Sequence, residues 1–175
     1  MRTLVLDPSS AGFDELLERR RRMGADRHDE VWAGVYHVVP GPSGPHAVID
    51  SQVARLLGPL AERVGLTPSS QFNLGESEDD FRIPDGGLHR GFPAGVWQQT
   101  AALVIEIISP NDESWEKLPY YAAHAVDEVL IVDPQERSVS WLALEDGEYR
   151  PVERSGLIAL GRVDLTDQLD WPPVE

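Results

Sequence analysis

The strongest constraint on the fold is a nearly continuous apolar segment, AALVIEIIS at residues 101–109, with a single charged residue, Glu106. Such a segment is typical of a central β-strand that is covered on both faces. A second apolar segment, EVLIV at residues 128–132, follows after a helical pattern at about 112–125. A strand, a helix and a strand in this order favour a crossover that places the two strands in parallel. We therefore predict a mixed α and β fold (α+β), with one mixed core sheet flanked by helices.

The remaining segments predict further elements around this centre. A short amphipathic helix starts near Phe13, residues 31–39 are predicted as a strand, and residues 46–64 show helical spacing most clearly. Two extended segments, a hairpin around an Asp-Gly turn and a last strand are predicted at residues 71–74, 81–84, 138–154 and 157–165. No repeat or low-complexity linker interrupts the sequence, so we expect a single domain over residues 1–175.

The composition excludes several classes of function. With 175 residues, of which 41% are hydrophobic, the chain is long enough to bury a core. It has no cysteine, which excludes disulfides, thiolate zinc sites and a cysteine nucleophile. The sequence shows neither a membrane-spanning apolar segment nor a secretory signal, so we expect no membrane association and a cytoplasmic location. The net charge of -15 is unfavourable for binding nucleic acid.

Four adjacent arginines occur at residues 19–22, in a part of the chain that is nearly neutral. Adjacent residues point in different directions around a helix, so these four cannot form one stripe. We interpret them as an exposed, charged helix end, with contacts to phosphate groups as the alternative.

Glu106 interrupts the central apolar segment, and strand alternation places it on the face shared with Val104 and Ile108. A buried carboxylate without a partner carries a large desolvation cost, so it needs a cation, hydrogen-bond donors or a raised pKa. Two interpretations stay open. One is a structural carboxylate paired with an arginine, and the other is a carboxylate at the carboxyl edge of the sheet that faces a metal ion.

Asp85 closes the extended segment FRIPD and precedes Gly86 and Gly87. Pro84 and the two glycines predict a turn that leaves the carboxylate at a strand end. Taken alone, this pattern favours a structural aspartate that accepts hydrogen bonds from nearby backbone groups.

Lys117 is the only lysine, since the other 14 basic residues are arginines. On a helix it shares one face with Tyr121 and His124, whereas Trp115 and Leu118 are expected to point towards the core. A lysine on a helix surface is ordinarily a solvated charge. In a chain that otherwise uses arginine, it indicates a compact ammonium group that approaches a single oxygen atom.

Together, Asp85, Glu106 and Lys117 suit metal-dependent hydrolysis of a phosphodiester. Mg²⁺ takes one or two carboxylates and keeps several waters. The metal lowers the pKa of a bound water and offsets the charge that develops on the phosphate. The lysine would orient the attacking water or stabilise the transition state.

Five short segments occur in a fixed order along the chain. They are PD (Pro84 and Asp85), VIEIISP (residues 104–110), ExxxKxxxY (Glu113, Lys117 and Tyr121), V-x-E (Val126 and Glu128) and VDP (residues 132–134). In this combination they resemble the Uma-two family of restriction-endonuclease-like proteins, which belongs to the PD-(D/E)XK nuclease superfamily. The resemblance extends back to HDEVWAGVYHVVP and forward into the predicted hairpin and last strand, so it covers nearly the whole chain.

This resemblance implies a restriction-endonuclease-like fold and Mg²⁺-dependent nuclease chemistry, with Asp85 and Glu106 as metal ligands. Mn²⁺ is a further candidate ion. Glu30 and His46 match family positions and are supporting candidates that would line the cleft. For His46, the alternative is a local role in capping or packing at the helix start. Tyr121 is a candidate to hydrogen-bond a catalytic acid, and the alternative is a half-buried helix tyrosine.

The chain also departs from the pattern of the superfamily. The superfamily's lysine lies two residues after the second acid, where this chain has Ile108. Lys117 instead matches variants in which the lysine has moved to the following helix. Pro119 predicts that the helix proper begins near Leu118, with Lys117 at its N-terminal turn. Ala125 stands where the family commonly has glycine.

We therefore expect an endonuclease that hydrolyses DNA, with Asp85, Glu106 and Lys117 as its catalytic residues. The alternative is a catalytically weak or inactive nuclease-fold domain that serves as a binding or assembly module, and a hydrolase of another phosphate substrate is a third hypothesis. A homodimer is a further expectation, because cleavage of both DNA strands needs two sites.

Overall fold

The computed structural model describes residues 3–7, 9, 12–110 and 113–173. Its helices are α1 (Phe13–Met23), α2 (Gly44–Arg63), α3 (Leu118–Ala123) and α4 (Arg162–Gln168), and a 3₁₀ turn (Trp115–Lys117) precedes α3. Its strands are β1 (Leu4–Leu6), β2 (Glu30–Trp32), β3 (Val35–Val38), β4 (Thr67–Ser70), β5 (Asn73–Ser77), β6 (Asp80–Arg82), β7 (Gly86–His89), β8 (Trp97–Gln98), β9 (Leu103–Ile107), β10 (Glu128–Asp133), β11 (Ser138–Glu145) and β12 (Glu148–Pro151). Within the described ranges, no helix has the length and apolar character needed to cross a membrane.

The described strands form two six-stranded sheets, in the orders β1-β3-β2-β6-β5-β8 and β12-β11-β10-β9-β7-β4. The mixed α and β class is confirmed, but the expectation of one core sheet is wrong. The segment predicted as a single strand at residues 31–39 is a hairpin, because Ala33 and Gly34 reverse the chain between β2 and β3. Both residues have positive φ, 48° and 83°, as a tight hairpin turn requires. The hairpin of β2 and β3 lies between β1 and β6 in the first sheet.

The second sheet is built around β9, as the apolar segment predicts. β9 and β10 pair in parallel, which confirms the predicted crossover. On one face of β9, Ile105 packs in the same apolar cluster as Ile49 of α2. On the other face, Val104 packs in a second cluster with Tyr121 of α3. Because Glu106 alternates with Ile105 along the strand, it lies on the face that α3 covers.

The start of α2 fixes the position of His46. Ser43 is the N-cap, and its hydroxyl accepts a hydrogen bond from the backbone N–H of His46 at 3.4 Å. The observed helix, Gly44–Arg63, agrees with the predicted span of 46–64 to within two residues. His46 therefore lies in the first turn, where its side chain reaches the end of the second sheet.

Pro119 lies in the first turn of α3, so the predicted helix start at Leu118 is confirmed, with Lys117 as the N-cap residue. The predicted burial of Trp115 is wrong: this side chain is 47% exposed, because residues 115–117 form a 3₁₀ turn with a different rotation per residue. Ala125 follows α3 with φ of 51°, in the left-handed region that favours glycine.

The C-terminal third confirms one prediction and corrects another. The hairpin of β11 and β12 turns at Asp146 and Gly147, as predicted. The last strand predicted at residues 157–165 is wrong, because the chain forms α4 at Arg162–Gln168 instead. The two apolar residues Leu165 and Leu169 are four positions apart and both are buried in the core, which is helical spacing and not strand alternation.

The predicted turn at Gly86 and Gly87 is also wrong, since both residues belong to β7, between β4 and β9. The glycines are required by close packing. A Cβ atom on Gly87 would lie 2.7 Å from the ring of Phe72 and 2.9 Å from the carbonyl oxygen of Leu103. Strand β7 therefore continues directly from Asp85, which fixes this carboxylate beside β9.

This close packing predicts that Gly87→Ala lowers the free energy of unfolding by about 1–3 kcal/mol, because the carbonyl oxygen of Leu103 cannot move without disturbing β9. Gly41→Ala is the matched control. Its Cβ would meet no atom within 4 Å, so we expect a change below about 0.5 kcal/mol. Urea unfolding of both variants measures the difference, and equal stability of the two would contradict the packing argument.

Candidate active site

A cavity lies where the two sheets meet the start of α2 and the 3₁₀ turn before α3. Five of the six site residues predicted from the sequence line this cavity: Glu30, His46, Asp85, Glu106 and Lys117. The sixth candidate, Tyr121, lies behind them in the core and contacts Glu106. The structure therefore brings all six predicted site residues together.

Glu106 is at the centre of this arrangement and is 2% exposed. Its carboxylate accepts hydrogen bonds from the Tyr121 hydroxyl, from the Ser114 hydroxyl at 3.3 Å, and from Lys117 Nζ at 3.2 and 3.3 Å. Burial raises the pKa of Glu106 to about 7, although the Lys117 ammonium opposes this shift. The carboxyl group therefore titrates near neutral pH.

Lys117 connects two carboxylates that come from different sheets. Its Nζ atom lies 2.9 Å from Glu30 Oε1 and 3.2 Å from Glu106 Oε1. Burial disfavours the charged ammonium, but the two carboxylates outweigh this effect and raise the pKa of Lys117 above its ordinary value. The lysine is therefore a fixed positive charge at the floor of the cavity, and the interpretation as a solvated surface charge does not hold.

Glu30 is held as firmly as Glu106. It is 2% exposed, and its carboxylate accepts hydrogen bonds from the backbone N–H of Ile83 at 2.8 Å and from Trp32 Nε1 at 2.7 Å. These donors orient Oε1 towards Lys117. From the sequence, Glu30 was only a supporting candidate, because its position near the start of a short strand gives no sign that Lys117 would contact it.

Asp85 and His46 form the other side of the cavity. Asp85 Oδ2 accepts a hydrogen bond from the backbone N–H of Ile107 at 2.8 Å, which places Asp85 next to Glu106 in β9. Asp85 Oδ1 lies 3.0 Å from His46 Nε2, and His46 Nδ1 lies 3.1 Å from the Ser109 hydroxyl. Burial opposes the charged imidazolium, but the hydrogen bond with Asp85 and the surrounding carboxylates raise the pKa of His46.

The donors present fit a hard divalent cation better than a structural zinc ion. Glu30, Asp85, Glu106 and Glu113 supply four carboxylates, and Lys117 supplies one ammonium, so the cavity is negatively charged when its two histidines, His28 and His46, are neutral. Among the residues that the structure describes, no group of three or more histidines and acids is arranged to hold a metal ion. Two carboxylates completed by water are a common ligand set for Mg²⁺, whereas a structural zinc site needs four protein ligands.

Two contacts at the rim of the cavity were not predicted from the sequence. Glu113 Oε2 lies 2.8 Å from His37 Nδ1, and the ring of Trp32 stacks on His37 at 4.2 Å. The position of Glu113, four residues before Lys117, was the sequence feature that could have indicated its place at the cavity. Ser114, which donates a hydrogen bond to Glu106, offered no such feature, because a single serine before a short helix is ordinarily a cap.

The pKa of Glu106 predicts a pH-dependent contribution to stability. Because this pKa is raised from 4.5, the carboxyl group stabilises the fold fully below pH 4.5 and this contribution is lost as the pH rises through about 7. Glu106→Gln removes the titration, so its free energy of unfolding should rise relative to that of the wild type between about pH 5 and about pH 8. Urea unfolding at both values tests this, with the exposed Glu145→Gln as the control for net charge. A constant difference would contradict the shift.

Comparisons with known proteins identify the fold and the family of the chain. The crystal structure of a protein from Anabaena variabilis ATCC 29413, described as "a putative nuclease belonging to DUF820", superposes with a TM-score of 0.66 at 16% sequence identity. The match covers 80% of this chain and 90% of that protein, and it shows the shared restriction-endonuclease-like fold. No curated protein matches. Residues 13–169 match the model of the family described as "Uma2: Putative restriction endonuclease". The chain therefore belongs to the Uma2 family.

Proposed function

We propose that this protein is a Mg²⁺-dependent endonuclease that hydrolyses phosphodiester bonds of DNA. The observation that carries the proposal is the meeting of Asp85, Glu106 and Lys117 at one cavity, where Lys117 Nζ lies 3.2 Å from Glu106. Membership of the Uma2 family and the nuclease-like fold support the same reaction class. The three residues come from separate parts of the chain, so their convergence is not a consequence of sequence proximity.

Asp85 and Glu106 are the residues that would hold the metal ion. When bound, Mg²⁺ supplies a Lewis acid that polarises the phosphate and acidifies a water molecule. The backbone N–H of Ile107 fixes one oxygen of Asp85, and His46 orients the other. The Tyr121 hydroxyl fixes Glu106 from the core side. Both carboxylates are thus oriented before a metal arrives, which lowers the cost of ordering the site.

Lys117 would act on the substrate with its ammonium group. Glu30, which belongs to the other sheet, holds Nζ in place at 2.9 Å. From there the ammonium can donate a hydrogen bond to the attacking water or to a phosphate oxygen, where negative charge develops in the transition state. Glu30 touches neither substrate nor metal in this scheme, so we assign it a positioning role.

One observation favours the second function, a catalytically weak or inactive nuclease-fold module. Both oxygens of Glu106 already accept hydrogen bonds, from Tyr121, Ser114 and Lys117. Metal binding must therefore compete with at least one of these contacts. The net charge of -15 also disfavours tight DNA binding, because phosphate affinity comes from counterion release by basic residues.

Nicking of a supercoiled plasmid tests the proposed activity. We expect nicked circles with Mg²⁺ or Mn²⁺ and none with EDTA, and Glu106→Ala should reduce the rate by at least about 100-fold. Glu62→Gln, an exposed acid near the far end of α2, is the control that should retain activity. Nicked product preceding linear product indicates sites that act singly, whereas direct linearisation indicates a homodimer. No cleavage by the wild type with either metal would defeat the proposal.

Lys117→Arg separates a catalytic lysine from a purely structural charge. The substitution keeps the charge but adds a planar guanidinium between Glu30 and Glu106, which lie within 3.3 Å of Nζ. We expect the cleavage rate to fall by at least about 100-fold while the variant remains folded by circular dichroism. Full activity of this variant would show that any cation suffices at this position.

Metal titration distinguishes the two functions. Isothermal titration calorimetry with Mg²⁺ should show binding to the wild type and to Glu62→Gln, and binding should be weakened by at least about tenfold in Asp85→Asn. Binding without any cleavage would favour the inactive module. No detectable binding to the wild type would contradict the assignment of Asp85 and Glu106 as metal ligands.

A further inference from the structure

A second groove opens beside the carboxylate cavity and shares its wall. We call it the arginine groove. It is lined by Leu4, Arg20, Arg27, His28 and residues 38–41, and His28 together with residues 39–41 also lines the cavity. A linear ligand that lies in the groove can therefore continue into the cavity.

Positive charge is concentrated in residues 19–28, the segment that contributes Arg20 and Arg27 to the groove. Residues 19–28 contain five arginines and one acid, so the rest of the chain has ten basic and 29 acidic residues. Most arginines after residue 80 are paired with carboxylates, as in the ion pairs of Arg82, Arg90, Arg150, Arg154 and Arg162. By contrast, Arg19, Arg21, Arg22 and Arg27 are exposed and have no carboxylate partner among the described residues. These four cations are available to an external anion.

One ion pair with a buried carboxylate links the groove to the active site. Arg20 donates to both oxygens of Asp29 at 2.7 Å, and Asp29 also accepts from the Tyr36 hydroxyl at 3.0 Å and the Val39 backbone N–H at 3.0 Å. The next residue, Glu30, binds Lys117. Asp29, which anchors α1, and Glu30, which anchors Lys117, are therefore consecutive residues at the start of β2, with Cα atoms about 3.8 Å apart. The Arg20–Asp29 contact thus anchors the segment that carries the exposed arginines beside the cavity.

We infer that the arginine groove binds the sugar-phosphate backbone of duplex DNA next to the cleaved bond. This inference rests on the proposed function, since it assigns the contact surface of the same substrate. Arg27 contacts a phosphate directly, and Arg22 in the last turn of α1 contributes a second positive charge. The arrangement also reconciles the acidity of the chain with an anionic substrate. The acidic remainder of the surface repels DNA, so that binding is confined to the side of the molecule where the cavity opens.

The test is equilibrium binding of a fluorescein-labelled duplex of about 20 base pairs, followed by anisotropy in EDTA at several salt concentrations. Each lost phosphate contact reduces the steepness of the plot of log K against log salt by about 0.9, so the loss of affinity relative to the wild type is about eightfold larger at 0.1 M salt than at 1 M salt. We expect this loss for Arg27→Gln and a larger loss for the pair Arg22→Gln with Arg27→Gln.

Arg63→Gln and the pair Arg55→Gln with Arg63→Gln are the matched controls. Both arginines are exposed on α2 and lack a carboxylate partner in the described part of the chain. Arg63 lies about 25 Å along the helix from His46. Retained affinity in these controls, with loss in the groove variants, is the expected result. Equal losses in both sets would overturn the inference, as would absence of salt-dependent binding by the wild type.

A competition experiment separates DNA from an acidic protein partner. Unlabelled duplex should displace the probe, whereas poly-glutamate of equal charge should compete at least about tenfold less well. Equal competition would overturn the assignment of a nucleic acid. Cleavage is not needed for any of these readouts. Binding that depends on Arg27 without nicking would uphold the groove and defeat the proposed activity, whereas nicking that Arg27→Gln leaves unchanged would do the reverse.

Discussion

The structure depends on one ion triad, in which the ammonium of Lys117 lies between the buried carboxylates of Glu30 and Glu106. The two acids belong to different sheets, so the lysine joins these sheets at the point where the cavity opens. Removal of the ammonium would leave two buried negative charges facing each other, and a buried charge without its partner typically costs about 3–5 kcal/mol. The same contact therefore stabilises the fold and positions the candidate catalytic groups.

The site was predictable where local sequence rules and the family resemblance agree. Glu106 interrupts an apolar strand, and such an interruption needs a compensating partner. Lys117 is the single lysine of the chain, and Pro119 marks the helix start that positions it. Asp85 alone carried too weak a signal, because an aspartate before glycines is ordinarily a turn residue. Its assignment depended on the resemblance to the Uma-two pattern.

The remaining features depend on tertiary contacts that no local pattern specifies. The hairpin at Ala33 and Gly34 was hidden in an apolar segment that also fits a continuous strand. Gly87 suggested a turn, but its lack of a side chain serves the approach of Phe72 and of the β9 backbone. Glu30 acquires its importance only through Lys117, far away in the chain. For Gly87 and Glu30 the decisive partner is distant in sequence, and periodicity reports only on neighbours.

The distribution of the site over the chain also has a consequence for biosynthesis. Glu30, Asp85 and Glu106 precede Lys117, and domains emerge from the ribosome in order from the N-terminus. A chain that stops before residue 117 contains every carboxylate of the site but lacks the cation that holds two of them in the core. For a hydrolase of the proposed kind, prematurely terminated products would therefore lack activity, because the lysine that completes the site would be absent.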